Sequence, residues 1–149
     1  MAIARGAGTE IIRSIHLEDC SDTDRPIIYG QQHHIYTVLS VICFADGLNA
    51  AGDYVRMYLY GYDSHGGTVG QRHYIFRQDM QLNQTFVFND KFSFNGFEPT
   101  DFVGPMDNAT KQDAIADQGS SNEQILYIHG EHSSDKFDVT VTYIDQNNA

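Results

Sequence analysis

The sequence predicts an all-β protein, an antiparallel β-sandwich or jelly roll, and three observations carry that prediction. Apolar residues recur at period two in nearly every segment, which is the spacing of a half-buried strand. Those segments are rich in β-branched and aromatic side chains, including nine Tyr and nine Phe, which favour strand over helix. Clusters of Gly, Asn, Asp and Pro interrupt them at short intervals, as turns do. In outline the chain divides into an extended N-terminal arm, residues 1–16, and one sandwich domain, residues 17–149. That domain contains one irregular insertion with room for a short helix.

The arm opens with small residues and two glycines, Gly6 and Gly8, and then becomes Thr9-Glu10-Ile11-Ile12-Arg13-Ser14-Ile15. A flexible leader followed by a β-branched run fits a loose tail with an edge strand. It fits equally an arm that adds to a neighbouring subunit by strand pairing. In the second case Arg5, Glu10, Ile11, Ile12 and Arg13 are the contact residues, and removing the arm leaves the sandwich folded. Leu17–Pro26, LEDCSDTDRP, gathers acidic and turn-forming residues before a proline and reads as a loop. Its Asp19, Asp22 and Asp24 lack the glycine and distal glutamate of a calcium loop and read as solvated carboxylates.

Pro26–Gly30 is a short strand leading into the central one, His33–Phe44. That central run has no Gly, Pro or charge. Strict alternation divides it into Ile35, Leu39, Val41 and Cys43 on one face and Tyr36, Val38, Ile42 and Phe44 on the other, so both faces call for cover. After a glycine-containing loop, Tyr54–Tyr62 alternates cleanly: Val55, Met57 and Leu59 point inward, whereas Tyr54, Arg56, Tyr58, Tyr60 and Tyr62 point out. Such a row serves as a subunit contact, plain surface or a ligand platform, since Tyr and Arg are enriched at interfaces.

The turn Asp63–Gly70 contains GGTVG, which is not a phosphate loop because no Gly-Lys-Ser/Thr comes after it. Arg72–Met80 is the next strand. Thr85–Phe88 and Lys91–Phe94 read as two strands around an Asn89-Asp90 turn, placing Phe86, Phe88, Phe92 and Phe94 in the core. From Asn95 to Asn122, Gly96, Pro99, Gly104 and Pro105 break regular structure, and Thr110–Gly119 has the caps of a short helix. Glu123–His129 and Lys136–Ile144 are the closing strands, the last with Phe137, Val139, Val141 and Tyr143 inward.

Twenty acidic residues against nine basic ones leave a net charge of −11, which disfavours nucleic acid and anionic lipid as partners. No run approaches the ~18 apolar residues of a membrane span, and MAIARGAGTE lacks the apolar core of a signal peptide. The expectation is a protein made in a cytosol, with Cys20 and Cys43 reduced and the sequons at Asn83 and Asn108 without weight. No catalytic constellation stands out. His33, His34, His65, His73, His129 and His132 have no metal-ligand spacing, Cys43 lies in an apolar run as an inert thiol, and nothing nominates a carboxylate pair. Neither a metal nor a cofactor is expected.

Four stretches together, RGAGTEIIRS, YTVLSVICFA, YIFRQDMQLNQTFVFNDKFSFNGFEP and DVTVTYID, resemble the small structural proteins of tailed bacteriophage virions, especially those of marine phages. That resemblance spans nearly the whole chain. It implies a non-enzymatic decoration or cement protein that stabilises the phage head, located in the virion after assembly in the host cytoplasm. The implied partners are the chain itself, as a homotrimer, and the major capsid protein. A tail or head-to-tail connector component is the alternative within that class. From another class, a carbohydrate-binding module would use the tyrosine row, although the chain lacks Trp, a favoured sugar platform.

Overall fold

The fold is seen in a computed structural model, which describes residues 9–61, 70–97, 109 and 123–147. Nine strands are formed: β1 (Thr9–Cys20), β2 (Arg25–Tyr29), β3 (His34–Gly47), β4 (Tyr54–Gly61), β5 (Gln71–Asp79), β6 (Thr85–Phe88), β7 (Phe92–Asn95), β8 (Ile125–Gly130) and β9 (Lys136–Asn147). They make two antiparallel sheets. One has the order β1-β9-β3-β6, with β7 also paired to β3, and the other has the order β2-β8-β4-β5. The pairings nest: β1 with β9, β2 with β8, β3 with β6 and β7, and β4 with β5. A chain that pairs its ends first and its middle last, with the partners distributed over two facing sheets, is wound as a jelly roll.

The inner faces meet in one apolar core. Val38, Val41 and Cys43 of β3 and Phe137, Val139 and Val141 of β9 face Val55 and Met57 of β4 and Leu126 and Ile128 of β8. The alternation expected for β4 and β9 holds here, because those strands place every second residue in the core. On β3 the strict alternation fails. Val38 pairs with Tyr143 and Ser40 with Thr142, so Leu39 is an extra residue in the ladder. That bulge switches the phase, with Tyr36 and Val38 inward before it and Val41, Cys43 and Ala45 inward after it. The outward residues Ile35 and Ile42 keep substantial exposure.

Two further expectations are corrected. The Asn89-Asp90 segment does not turn the chain back. β6 pairs with Val41–Phe44 and β7 with Ile35–Val38, so the two pieces lie in line along β3 as one interrupted strand. All four phenylalanines still reach the core, Phe94 fully and Phe86, Phe88 and Phe92 in part. The loop expected at Leu17–Pro26 shrinks to residues 21–24, because β1 continues to Cys20 and β2 begins at Arg25. β1 therefore runs without a break across residue 16, paired with β9 of its own chain from Thr9 to Cys20. Residues 1–8, Tyr62 and the helix expected at Thr110–Gly119 lie outside the described residues.

Backbone contacts and buried carboxyls tie the ends of the sandwich. A Cβ on Gly30 would sit 1.9 Å from the Gly96 carbonyl oxygen, so this crossing of two backbones admits glycine alone. At the opposite end, the Asp135 carboxylate accepts the amides of Asn49 (2.8 Å) and His132 (2.9 Å) and joins the β3–β4 and β8–β9 loops. Burial, and then a hydrogen bond shared with Asp53, raises the pKa of Asp135 above the usual carboxylate range.

Cys20 and Cys43 are both buried and free. β9 lies between the strands that carry them, so their backbones are two strand spacings of about 4.8 Å apart, beyond the ~7 Å that a disulfide spans. Burial pushes the thiols up to about 11 and about 12, respectively, so the thiolates that react are scarce.

Candidate functional site

The row of tyrosines on β4 is one column of a larger aromatic face. Cross-strand register supplies the neighbours: Arg56 lies opposite Arg77 of β5 and His129 of β8, Tyr58 opposite Tyr74 and Tyr127, and Tyr60 opposite Arg72 and Ile125. Ile75 is the extra residue in the β5 ladder at this point, and that bulge keeps Tyr74 and Tyr58 side by side. β2 closes the other flank. Its own extra residue, Ile27, lets Ile27 and Ile28 both enter the core while Pro26 and Tyr29 stay outside.

Tyr58 is the centre of this face and is only 1 % exposed, although it points away from the sandwich core. Its ring stacks on Tyr127 with centroids 5.1 Å apart and meets the edge of Tyr74 at 5.7 Å. The Arg72 guanidinium covers it, with Cζ 5.0 Å from the centroid. Its hydroxyl is hydrogen-bonded to the Asp24 carboxylate, and burial first and this bond second hold its pKa above the ordinary tyrosine range. Burial likewise raises Tyr127.

Asp24 is thereby more than the solvated carboxylate expected of it. Its Oδ1 lies 2.8 Å from Nδ1 of His129 and its Oδ2 3.7 Å from Nη2 of Arg72. Further along the sheet, Arg56 and Arg77 stand directly opposite each other, a repulsive placement that aromatic faces offset. Arg77 Cζ is 4.0 Å from the Tyr54 centroid, while Arg56 Cζ is 5.2 Å from Tyr54 and 5.0 Å from Tyr74. Of the five residues named from the sequence for this face, Tyr54, Arg56, Tyr58 and Tyr60 are brought together. Asp24, Tyr29, Arg72, Tyr74, Tyr127 and His129 complete the group; the sequence put none of them on this face, and it offered Asp24 and His129 only as metal ligands to be set aside. For four of them the sequence signal is the alternation within each strand, which sets Arg72 and Tyr74 on one side of β5 and Tyr127 and His129 on one side of β8.

The residues named on the arm divide between the two sides of β1. Ile15 and Leu17 pack on the core, which sets Glu10 and Ile12 outward, and Ile12 is 70 % exposed. Arg13 turns to the inner side at the open end of the sandwich, where Nε donates to Asp145 at 3.0 Å, and Ile11 is half-buried on the same side. Asp145 is buried and also faces Nδ1 of His34 at 2.6 Å. Beside it Tyr36 is pushed up to about 12 by burial and then by the negative Asp145. Arg5 lies outside the described residues.

The outer face of the β1-β9-β3-β6 sheet is of another kind. Ser14 and Thr142 hydroxyls are 3.1 Å apart, those of Thr37 and Ser93 2.9 Å, and His16 Nδ1 is 2.8 Å from Thr140 Oγ1. Ile12 opposite Ile144, and Ile42 opposite Val87, flank this band of hydroxyls. At one end Asp19, Asp46 and Asp138 bring carboxylate oxygens within 4.8 Å of one another.

No protein-family model matches the chain, and neither does any curated protein. Among solved structures, the chain is similar to a subunit of disulfide-linked pili that form Bacillus endospore appendages, at 12 % identity and a TM-score of 0.45, over 100 % of this chain and 97 % of that one. It is also similar to a protein of infectious bursal disease virus, Gx strain, at 7 % identity and a TM-score of 0.46, over 96 % of this chain and 33 % of that one. A protein of the T13 particle of the same virus gives 8 % identity and a TM-score of 0.41, over 99 % of this chain and 37 % of that one. Similarity at this level has no bearing on function, which rests on the geometry of the two sheet faces.

Proposed function

We propose that this protein is a non-enzymatic structural subunit of a virion, a decoration or cement protein that binds the major capsid protein and associates with copies of itself as a homotrimer. The observation that carries this reading is the outer face of the β1-β9-β3-β6 sheet. In a chain with twenty acidic and nine basic residues, the middle of that face holds no Asp, Glu, Lys or Arg, and His16 is its one ionisable side chain among the described residues. It presents small hydroxyls from Ser14, Thr37, Ser40, Thr140 and Thr142, with Ile12, Ile35, Ile42 and Val87 exposed around them. Loss of charge at the centre of a surface and exposed aliphatics on a flat sheet are marks of a contact face. β1, at the margin of this sheet, has β9 as its one strand neighbour among the described residues, and a sheet margin is where a further strand can add. In this reading residues 1–16 belong to the same contact: Glu10 and Ile12 through outward side chains, Ile11 and Arg13 through the backbone edge of β1 only, and Arg5 as part of the arm. The jelly-roll winding recurs in viral capsid domains and adds a fold-level analogy.

The test is reconstitution. Purified protein is added to particles that lack it, and occupancy is read by immunogold labelling and by the temperature at which the heads rupture. Labelling of heads with a raised rupture temperature is the expected result. Labelling of tails alone, or no retention on particles, would overturn it.

A further inference from the structure

On the opposite sheet, a cleft of about 320 Å³ opens between β2 and the β4–β5 pair. It lies at the small end of ordinary ligand sites, which run from about 300 to 1,000 Å³. Its floor is the buried Tyr58, its walls are Tyr60 and Tyr127, and its rim is Tyr29, which is 58 % exposed. Asp24 and Arg72 stand at its mouth with charged atoms 3.7 Å apart.

This mixture excludes most ligand classes. An anion meets Asp24 and a chain of net charge −11. A cation finds the face of the central ring already occupied by Arg72. A purely apolar molecule would strip water from a carboxylate and a guanidinium without replacing its hydrogen bonds. A neutral polyol ring satisfies all three constraints: its C–H face lies on tyrosine, and its hydroxyls pair with the planar carboxylate and guanidinium. Asp24 is also held in place by the Tyr58 hydroxyl, so little ordering of this carboxylate is left for the ligand to impose.

We infer that this cleft is a binding site for a neutral saccharide unit, stacked on Tyr29, Tyr60 and Tyr127 above the buried Tyr58 and hydrogen-bonded by Asp24 and Arg72. The site stands independently of how the other sheet is used, and it adds to a structural subunit the capacity to recognise a glycan.

The experiment uses the full chain, isotopically labelled, titrated with the methyl glycosides of glucose, galactose, mannose and N-acetylglucosamine and probed on an oligosaccharide array. Inorganic phosphate and tetramethylammonium serve as charged comparators. The expected result is saturable movement of the Tyr29, Tyr60 and Tyr127 resonances with at least one sugar. Arg72→Met should weaken that binding about tenfold, as loss of a central contact does. Tyr29→Ala, at an exposed rim position, should weaken it by a similar factor with an unchanged melting temperature, which keeps the test decisive if the Arg72 variant folds poorly. The inference fails if no sugar on the array or in solution binds saturably, if the moving resonances lie outside the cleft, or if phosphate or tetramethylammonium fills it in place of the sugars.

Discussion

The two outer faces of the sandwich share one core and differ in nearly everything else. Over the β1-β9-β3-β6 sheet the central outward residues are mostly short, and hydroxyls of Ser14 and Thr142, and of Thr37 and Ser93, bond one another across strands. Over the β2-β8-β4-β5 sheet they are long, aromatic and cationic, and they interlock deeply enough to bury Tyr58. Jelly-roll winding demands apolar residues only on the inner faces, so the outer positions are free to take either character. A flat face of small side chains can receive another flat surface with little loss of rotamer freedom, because Ser and Thr have little to lose. A ridged face of tyrosines has built a second apolar layer and, within it, a cleft.

The largest effect that separates the faces is on stability. Tyr58→Ala should cost about 3–5 kcal/mol, the range for deleting a buried aromatic ring, since Tyr127, Tyr74 and Arg72 all lose their common partner. Urea unfolding monitored by circular dichroism measures it. A change below about 0.5 kcal/mol, typical of plain surface, would show that the tyrosines are decoration and that the contrast is one of composition only.

Alkaline titration sharpens the same contrast. Tyr58 and Tyr127 have raised pKa values, so between the ordinary tyrosine value near 10 and the folded value the native state holds protons that the unfolded state has lost. Their contribution is therefore complete below about pH 10 and is lost as pH rises through the folded values. Tyr36 and Tyr143, within the sandwich, add to this loss. Tyr58→Phe should make the fall in melting temperature above pH 10 shallower while leaving part of it in place. An identical alkaline limb in the variant would mean that Tyr58 ionises as freely in the folded chain as in the unfolded one.

Much of this was legible in the chain and some was not, for a physical reason. The period-two runs of β4 and β9 and the four phenylalanines announced their inner faces, because alternation is a local property of one strand. Extra residues in a ladder leave no such mark. Leu39, Ile27 and Ile75 look like their neighbours in sequence, yet each shifts the phase of the residues after it or keeps two adjacent residues on one side. The burial of Tyr58 was hidden for a related reason. Its cover comes from Tyr74, Tyr127, Arg72 and Asp24 on three other segments, and only the register between strands brings them over one ring. Asp24 read as a solvated carboxylate because its partners are likewise remote.

A smaller effect concerns the opposed arginines. Arg77→Ala removes the guanidinium 4.0 Å from the Tyr54 ring but also relieves its repulsion from Arg56. A cation–π contact at an exposed site is worth about 0.5–1 kcal/mol, so the net loss should be under about 1 kcal/mol. A double-mutant cycle with Tyr54→Ala isolates the pair. Zero coupling would show that the ring does not hold the guanidinium, and the ridged face would then owe its order to Tyr58 alone.

The smallest effect on folding belongs to the flat face, and there it should be accompanied by a large effect on assembly. Ile12 and Ile42 expose most or much of their side chains and already meet water, so Ile12→Ser and Ile42→Ser remove little buried area from the isolated chain. The expected change in unfolding free energy is within about 0.5 kcal/mol for each. Both residues sit on a charge-poor surface, on β1 and β3 with β9 between them, so a partner laid across the sheet would cover both at once. Together the substitutions should reduce occupancy on deficient particles by about tenfold or more, and equilibrium sedimentation should show weaker self-association. Unchanged folding with unchanged occupancy and oligomer size would remove the flat face from the contact and leave assembly to the edge of β1. A loss of several kcal/mol in the isolated chain would instead reveal that these isoleucines are covered within one subunit, and the contrast between the two faces would collapse.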